Sequence, residues 1–179
     1  MGDQRLDIEK FHRWAMGNLV ENRNRGIFAE WLVGRALGVI GDGDERHEWD
    51  AYDLLYGEVK VEVKASGRSQ TWPQKQPSKP NFNIALRRGT WLAESNEWIE
   101  HDPPVRFADV YVFCLHEPEN ATKENVRDPA SWKFWVISKQ TLDDKLGDQK
   151  RVGVGTLGRL ADQVGWSEIK AEVDRLELA

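Results

Sequence analysis

Lys60 to Ser66 read KVEVKAS, a run in which charged and apolar residues alternate without a break. Such alternation is typical of a β-strand with one apolar face and one polar face. The preceding run YDLLY at 52–56 is separated from VKVEVKA at 59–65 only by Gly57 and Glu58. Two such runs joined by two residues predict a β-hairpin, and glycine in the first position favours a type II′ turn.

The hairpin turn fixes which side chains face one another. If Tyr56 pairs with Val59, then Asp53 faces Glu62 across the hairpin. A slip of one residue would turn the charges toward the core, so the register is strongly constrained. The predicted core face carries Tyr52, Leu54, Tyr56, Val59, Val61 and Val63, and the opposite face carries Asp53, Leu55, Lys60, Glu62 and Lys64.

The two opposed acids indicate a site that needs a counter-charge, because like charges facing one another destabilise a sheet. A divalent cation supplies that charge, since Mg²⁺ binds carboxylate oxygens together with substrate phosphate, and Lys64 lies on the same face. Asp53, Glu62 and Lys64 are therefore a candidate phosphodiester-cleaving site. The alternative is a solvated strand face, because the chain contains five acid-x-Lys triplets and short motifs often arise by chance. Of these five, only Glu62-Val63-Lys64 has an acid placed across a hairpin from it.

Basic residues are concentrated in and after this hairpin. The chain as a whole has a net charge of −5, which gives no general attraction for nucleic acid. Between residues 59 and 90, however, seven basic residues accompany a single acid, Glu62. This segment therefore has a charge of +6, against −11 for the remainder. The asymmetry places a basic surface beside the candidate site.

Apolar residues at helical spacing predict three helices. The first covers about 6–19, and the second covers 26–37 and is followed by Gly38 as a stop signal. A last helix follows Ser167, the expected N-cap, within a C-terminal helical extension of about 159–178. The inward-facing residues are expected to be Ile27, Trp31, Leu32 and Ala36 in the second helix, and Ile169, Val173 and Leu176 in the last.

Further strands are expected at 82–87, 108–116 and 133–138, with a proline-containing loop at 68–81. Charged residues make up 31% of the chain and apolar residues 40%, which is typical of a soluble protein with a core. No internal repeat or linker divides the sequence. The expected fold class is therefore a single mixed α/β (α+β) domain spanning residues 1–179.

Asp53, the triplet Glu62-Val63-Lys64 and a preceding helix that bears Glu30 together resemble the PD-(D/E)xK nuclease superfamily, which has the restriction-endonuclease-like fold. In that superfamily an acid lies on one strand, the acid-x-Lys motif lies on the next, and a helical Glu often joins the site. The resemblance covers residues 26–66. It implies an αβββαβ core with a central mixed sheet flanked by helices. Asp50 is the alternative first acid, although its position along an extended strand would turn it toward the core face.

The resemblance implies a Mg²⁺-dependent deoxyribonuclease, more precisely an endonuclease, with Mn²⁺ as a substitute metal. Asp53 and Glu62 would hold the metal, with the Val63 carbonyl as a further ligand and Glu30 bound directly or through a water. Lys64 would position the attacking water and stabilise charge that develops on the phosphate. The alternative is a nucleic-acid-binding or complex-forming protein that keeps the nuclease fold without cleavage activity.

DNA is the expected partner, and the residues expected to contact it follow the acid-x-Lys motif. Basic side chains would bind phosphates without regard to sequence, Trp72 would stack on a base, and Gln74 would meet the substrate. Packing of Trp72 within its own loop is the alternative. The expected DNA-binding residues are Arg68, Trp72, Gln74, Lys75, Lys79, Arg87 and Arg88. A homodimer or a larger defence or repair complex is the expected assembly.

Other classes of function find less support. The four histidines lack the spacing of a zinc site, and Gly153–Gly158 matches GxGxxG without a βαβ setting, so it is expected to be a turn. Cys114, in the apolar run VYVFCL, is expected to be a buried thiol. The sequence has no signal-peptide core and no bilayer-spanning run, so a cytoplasmic location without membrane contact is expected.

Overall fold

The computed structural model describes residues 6–46, 51–92 and 95–178. Its helices are α1 (Ile8–Met16), α2 (Asn22–Leu37), α3 (Lys139–Leu146), α4 (Val154–Leu160) and α5 (Ile169–Glu177). Its strands are β1 (Leu54–Tyr56), β2 (Val59–Gly67), β3 (Asn81–Asn83), β4 (Arg87–Leu92), β5 (Glu97–Val105), β6 (Val110–His116), β7 (Trp132–Ser138) and β8 (Arg151–Gly153). The expected strands at 108–116 and 133–138 are confirmed as β6 and β7.

A four-stranded sheet in the order β1-β2-β6-β7 forms the centre of the fold. β2 and β6 run parallel, whereas the other two pairs are antiparallel, so the sheet is mixed. The predicted hairpin register is confirmed, because Tyr56 pairs with Val59 and Leu54 pairs with Val61. Gly57 has a φ of 60°, which glycine adopts without strain and which a type II′ turn requires at this position.

Helices α2 and α5 cover one face of this sheet. α2 begins after Glu21, whose carboxylate accepts hydrogen bonds from two backbone N–H groups of the first turn, and it ends at Gly38 in the left-handed conformation. The predicted apolar face of α2 is partly wrong, because Trp31 is 46% exposed while Leu32 is buried. The residues of α2 in the core are Ala29, Leu32, Val33 and Leu37, which share one cluster with Val61, Val63, Val110 and Val112 of the sheet.

The β3–β8 pair and helices α3 and α4 cover the opposite face. Their buried residues form a second cluster with Tyr111, Phe113 and Leu115 of β6. Glu62 of β2 pairs with Tyr111 in the sheet and is only 3% exposed. Tyr52 packs against this second cluster rather than with Leu54, because the strand alternation begins only at β1. The prediction that Tyr52 shares one face of the hairpin with Leu54 is therefore wrong.

Strands β4 and β5 form a separate two-stranded sheet, here called the arm, whose contacts are mainly between its own two strands. The sequence gives no secondary-structure prediction for residues 88–105, and the expected strand at 82–87 is wrong in extent. The chain leaves β3 after Asn83 and enters the arm at Arg87. Most side chains of the arm are exposed, so the arm lacks the apolar alternation that marks a core strand.

The structure confirms a mixed α+β fold with a mixed sheet flanked by helices. It does not confirm the expected αβββαβ order, because the described residues between β2 and β6 contain strands β3, β4 and β5 and no helix. Gly153–Gly158, expected to be a turn, instead ends β8 and begins α4. No helix of the described ranges combines the length and the apolarity that crossing a bilayer requires.

The chain ends also differ in detail from the prediction. The first helix is shorter than 6–19, and Phe11 and Trp14 on it are exposed. Val164 forms a β-bridge with Phe134, so helix does not run through the whole of 159–178. Ser167 lies in a 3-10 turn before α5 and does not cap it. The inward-facing residues of α5 are as predicted, with Ile169 and Val173 buried and Leu176 packed against them.

Candidate metal site and nucleic-acid surface

The hairpin brings Asp53 beside Glu62, as its register predicts. The Asp53 backbone N–H donates to the Val61 carbonyl at 3.1 Å, which continues the pairing one residue before β1. The Val63 N–H donates to Asp53 Oδ2 at 2.6 Å. The Asp53 carboxylate is therefore fixed over the centre of the acid-x-Lys triplet. Asp50, the alternative first acid, lies outside the described residues.

Glu62 is surrounded by two cations. Lys64 Nζ and Arg87 Nη2 both donate to the same oxygen, Glu62 Oε1, with Arg87 at 2.6 Å. Arg87 also donates through Nη1 to the Ala51 carbonyl at 3.0 Å, so its guanidinium joins the arm to the segment that leads into β1. Lys64 thus lies beside Glu62 as predicted, whereas Arg87 is paired with an acid of the site.

Glu30 reaches the same region from α2. Its side chain is 11% exposed and forms a bidentate ion pair with Arg46, with Arg46 Nε at 2.9 Å from Oε1 and Nη2 at 2.8 Å from Oε2. Glu30 and Asp53 line one cleft of about 530 Å³ between α2 and β1, together with Asp44, Glu45 and Arg46. The apolar part of this cleft includes Ile27 and Trp31, two of the four α2 residues predicted to face the core.

The acids of the site influence one another electrostatically. Burial raises the pKa of Asp53 from its ordinary value of 3.8 to about 6, and the negative charges of Glu62 and Glu30 act in the same direction. The hydrogen bond from Val63 and the positive charge of Lys64 oppose this rise in the pKa of Asp53. Glu62, Glu30 and Lys64 therefore all lie close enough to Asp53 to influence its ionisation.

The donor atoms suit a hard divalent cation, because carboxylate and carbonyl oxygens are the ligands that Mg²⁺ takes. Arginines nevertheless hold two of the three carboxylates. Among the residues that the structure describes, no three His, Cys, Asp or Glu side chains form a group that could hold a metal ion as they stand. A metal that binds Glu62 Oε1 would therefore have to displace Lys64 or Arg87 from that oxygen, and one that also binds Glu30 would compete with Arg46.

The basic segment divides into exposed residues and residues that already have partners. Arg68 pairs with Glu117 at 3.2 Å. Gln74 accepts from the Gln70 N–H at 2.7 Å and donates to Ser78 Oγ at 2.9 Å, so it braces its own loop. The expected DNA-binding residues that lie exposed on the surface are Trp72, Lys75, Lys79 and Arg88.

Sequence reasoning missed the part that arginines play at the acids. Arg87 was expected to contact DNA because it belongs to the basic segment, and nothing in its spacing indicated the pairing with Glu62. Arg46 stands in the turn-rich segment GDGDER after α2, where no periodic pattern applies. Its bond to Glu30 depends on how that loop folds back over α2, which only the three-dimensional structure reveals.

Comparison of the chain with protein-family models, with curated proteins and with solved structures finds no match. The resemblance to the PD-(D/E)xK superfamily therefore rests on the residues of the hairpin, on Glu30 and on their arrangement.

Proposed function

We propose that this chain is a Mg²⁺-dependent DNA endonuclease of the PD-(D/E)xK type. The observation that carries the proposal is the placement of Asp53 over the acid-x-Lys triplet, fixed by the bond from Val63. Burial, with the charges of Glu62 and Glu30, raises the pKa of Asp53 there. A buried acid with a perturbed pKa in a cleft is a common feature of catalytic sites. Glu30 lines the same cleft as Asp53 and reaches it from a helix, which is the position that the resemblance implies for a helical acid.

Each residue has a role in the proposed reaction. Asp53 and Glu62 hold the metal with the Val63 carbonyl, and Glu30 contributes from α2. When bound, the metal lowers the pKa of a coordinated water and polarises the scissile phosphate. Lys64 donates hydrogen bonds to the phosphate oxygens and orients the attacking water. The partly buried setting of these groups strengthens their electrostatic effect on the phosphate.

The proposed substrate is DNA, bound across the exposed basic side chains of the segment after β2. Lys75, Lys79 and Arg88 contact phosphates, and Trp72 offers a free aromatic face for a base. Binding through phosphates is insensitive to sequence and weakens as salt rises. Recognition of a particular site or damage is left to a second copy or to a partner in a defence or repair complex.

A second candidate function is nucleic-acid binding without cleavage. The ion pairs of Arg46 with Glu30 and of Arg87 with Glu62 favour it, because they neutralise two of the acids without any metal. Under this alternative Asp53 and Glu62 would no longer bind a metal, because Arg46 and Arg87 would stay paired with Glu30 and Glu62.

Cleavage of supercoiled plasmid and of single-stranded DNA in Mg²⁺ or Mn²⁺ separates the two functions. The variants are Lys64→Ala and a matched control, Lys150→Ala, which removes the lysine of another acid-x-Lys triplet in an exposed turn. We expect wild type and Lys150→Ala to cleave, and Lys64→Ala to lose at least about a hundredfold in rate, as for removal of a transition-state donor.

Binding of DNA by all three proteins without cleavage by any of them would favour the second function. Equal cleavage by Lys64→Ala and wild type would place the chemistry elsewhere and refute the proposal.

A further inference from the structure

We propose that Arg87 is an exchangeable counter-ion of the metal site. It neutralises Glu62 while the site holds no metal, and it transfers to a phosphate of the substrate when a divalent cation takes its place. The inference rests on the proposed metal site and adds to it a coupling between metal binding and substrate binding. Arg87 thereby contacts Glu62 in one state and the substrate phosphate in the other.

The contacts at one oxygen of Glu62 favour an exchange of this kind. A carboxylate oxygen offers about two acceptor positions, and on Oε1 these are taken by Lys64 and Arg87. A metal ion that binds this oxygen must displace one of the two cations. Lys64 belongs to the same strand as Glu62, only two residues away, whereas Arg87 reaches in from the arm. Arg87 is therefore the cation that leaves.

Arg87 has the freedom and the chemistry to move. Its side chain is 40% exposed, although the carboxylate it holds is nearly buried. The pairing of β4 with β5 is irregular between Arg87 and Gly89, so the strand does not rigidly fix the start of the arm. A guanidinium binds phosphate in the same bidentate fashion as carboxylate, so a substrate phosphate offers Arg87 an equivalent partner.

Exchange makes metal and phosphate binding mutually favourable. Without DNA, the metal must displace a cation that then remains unpaired in the site. With DNA, the released guanidinium gains a phosphate, and by linkage the metal likewise strengthens DNA binding. Such a site would bind the metal more weakly without substrate than with it, which limits unproductive metal loading.

Calorimetric titration with Mn²⁺ alone, in the absence of DNA, tests the exchange without relying on activity. The test variant is Arg87→Gln, and the matched control is Arg175→Gln, which breaks another Arg–Glu pair on α5 with the same change in charge. Arg87→Lys keeps a cation next to Glu62. We expect Arg87→Gln to bind Mn²⁺ about threefold to tenfold more tightly than wild type, with Arg175→Gln and Arg87→Lys close to wild type.

A second measurement uses the wild-type protein and so does not depend on the folding of a variant. Side-chain NMR of the arginines during titration with diamagnetic Mg²⁺ is expected to shift the Arg87 signal and to leave that of Arg106 unchanged. Arg106 is the internal control, because it is 1% exposed and bonded to Asp143 and to backbone carbonyls away from the acids.

The outcomes distinguish the two proposals. If wild type binds Mn²⁺ and Arg87→Gln binds no more tightly than Arg175→Gln, the exchange is refuted and the metal site stands. A stationary Arg87 signal on Mg²⁺ binding refutes the exchange in the same way. If no protein in the series binds Mn²⁺, the metal site itself is refuted, and the exchange with it.

Discussion

Asp53 occupies a position that is costly for an ionised acid. It is largely buried beside Glu62 and in the field of Glu30, and its pKa is raised to about 6. In an unfolded chain Asp53 ionises near 3.8, so between these two values the folded state keeps a proton that the unfolded state has lost. The free energy of unfolding therefore falls as pH rises from about 4 to about 6, and the cost is complete above that range. The ionised Asp53 carboxylate therefore lowers the stability of the folded protein at neutral pH.

Asp53→Asn is therefore expected to stabilise the protein at neutral pH while it weakens metal binding. The amide still accepts the Val63 N–H but carries no charge, so we expect the free energy of unfolding to rise by about 1–3 kcal/mol at pH 7.5. The gain should disappear near pH 4, where Asp53 of the folded wild type is protonated. Urea denaturation over this pH range measures both effects.

The control for this substitution is Asp109→Asn, which changes an exposed aspartate that accepts the Lys60 N–H at 2.9 Å. Its removal should give no stabilisation at pH 7.5. If Asp53→Asn were destabilising at every pH, the Asp53 carboxylate would stabilise the fold as a hydrogen-bond acceptor. Its charge would then not lower the stability of the folded state.

The two hairpins differ in how far the sequence predicts them. For β1–β2, a two-residue glycine turn and strict alternation fixed the register, because one face meets the α2 core and a slip would be costly. For the arm, most side chains are exposed, so apolar alternation gives no signal. Trp91 pairs with Trp98 across the arm, and both remain exposed. The turn of the arm contains Asn96 with a φ of 56°, and a single asparagine does not by itself predict a hairpin.

Gly89 is the position on which the packing of the arm depends. A side-chain carbon at this residue would overlap the ring of Trp98, which lies directly over the glycine. Gly89→Ala is therefore expected to displace Trp98 and to loosen the pairing of β4 with β5. The measurement is hydrogen exchange of the arm amides, which should speed up by at least about tenfold, equivalent to roughly 1.4 kcal/mol of local stability.

Gly26→Ala provides the opposite control. Gly26 lies in helix α2, and an added methyl group there meets nothing within 4 Å. Alanine should therefore raise the stability of the protein by about 0.5–1 kcal/mol through helix propensity, without changing exchange in the arm. Unchanged exchange in Gly89→Ala would show that Trp98 does not pack where the structure places it.

The whole fold was predictable in its layers and less so in its connections. Local periodicity gave α2, the first hairpin and the apolar strands β6 and β7, since each of these contributes residues to a core. The path of the chain from β2 to β6 was not predictable, because the intervening arm and the short β3–β8 pair depend on contacts between residues distant in sequence. For the same reason the sequence predicted Asp53 beside Glu62 but missed the arginines at Glu62 and Glu30.

The distribution of charge over the molecule supports one direction of approach for a polyanion. The segment from 59 to 90 has a charge of +6 on a chain whose net charge is −5, and its exposed cations follow directly from the strand of Glu62 and Lys64. Under the proposed function, a phosphate backbone drawn to these cations would pass the acids, where a metal would offset the repulsion between carboxylate and phosphate.

A crystal of the protein grown with Mn²⁺, with diffraction data collected at the manganese absorption edge, would locate the metal directly. The structure predicts an anomalous peak within coordination distance of the Asp53 and Glu62 carboxylates and the Val63 carbonyl, with the Arg87 guanidinium displaced from Glu62. A manganese-containing crystal without a peak at these residues, and with Arg87 still bonded to Glu62, would contradict a metal-dependent site at the hairpin.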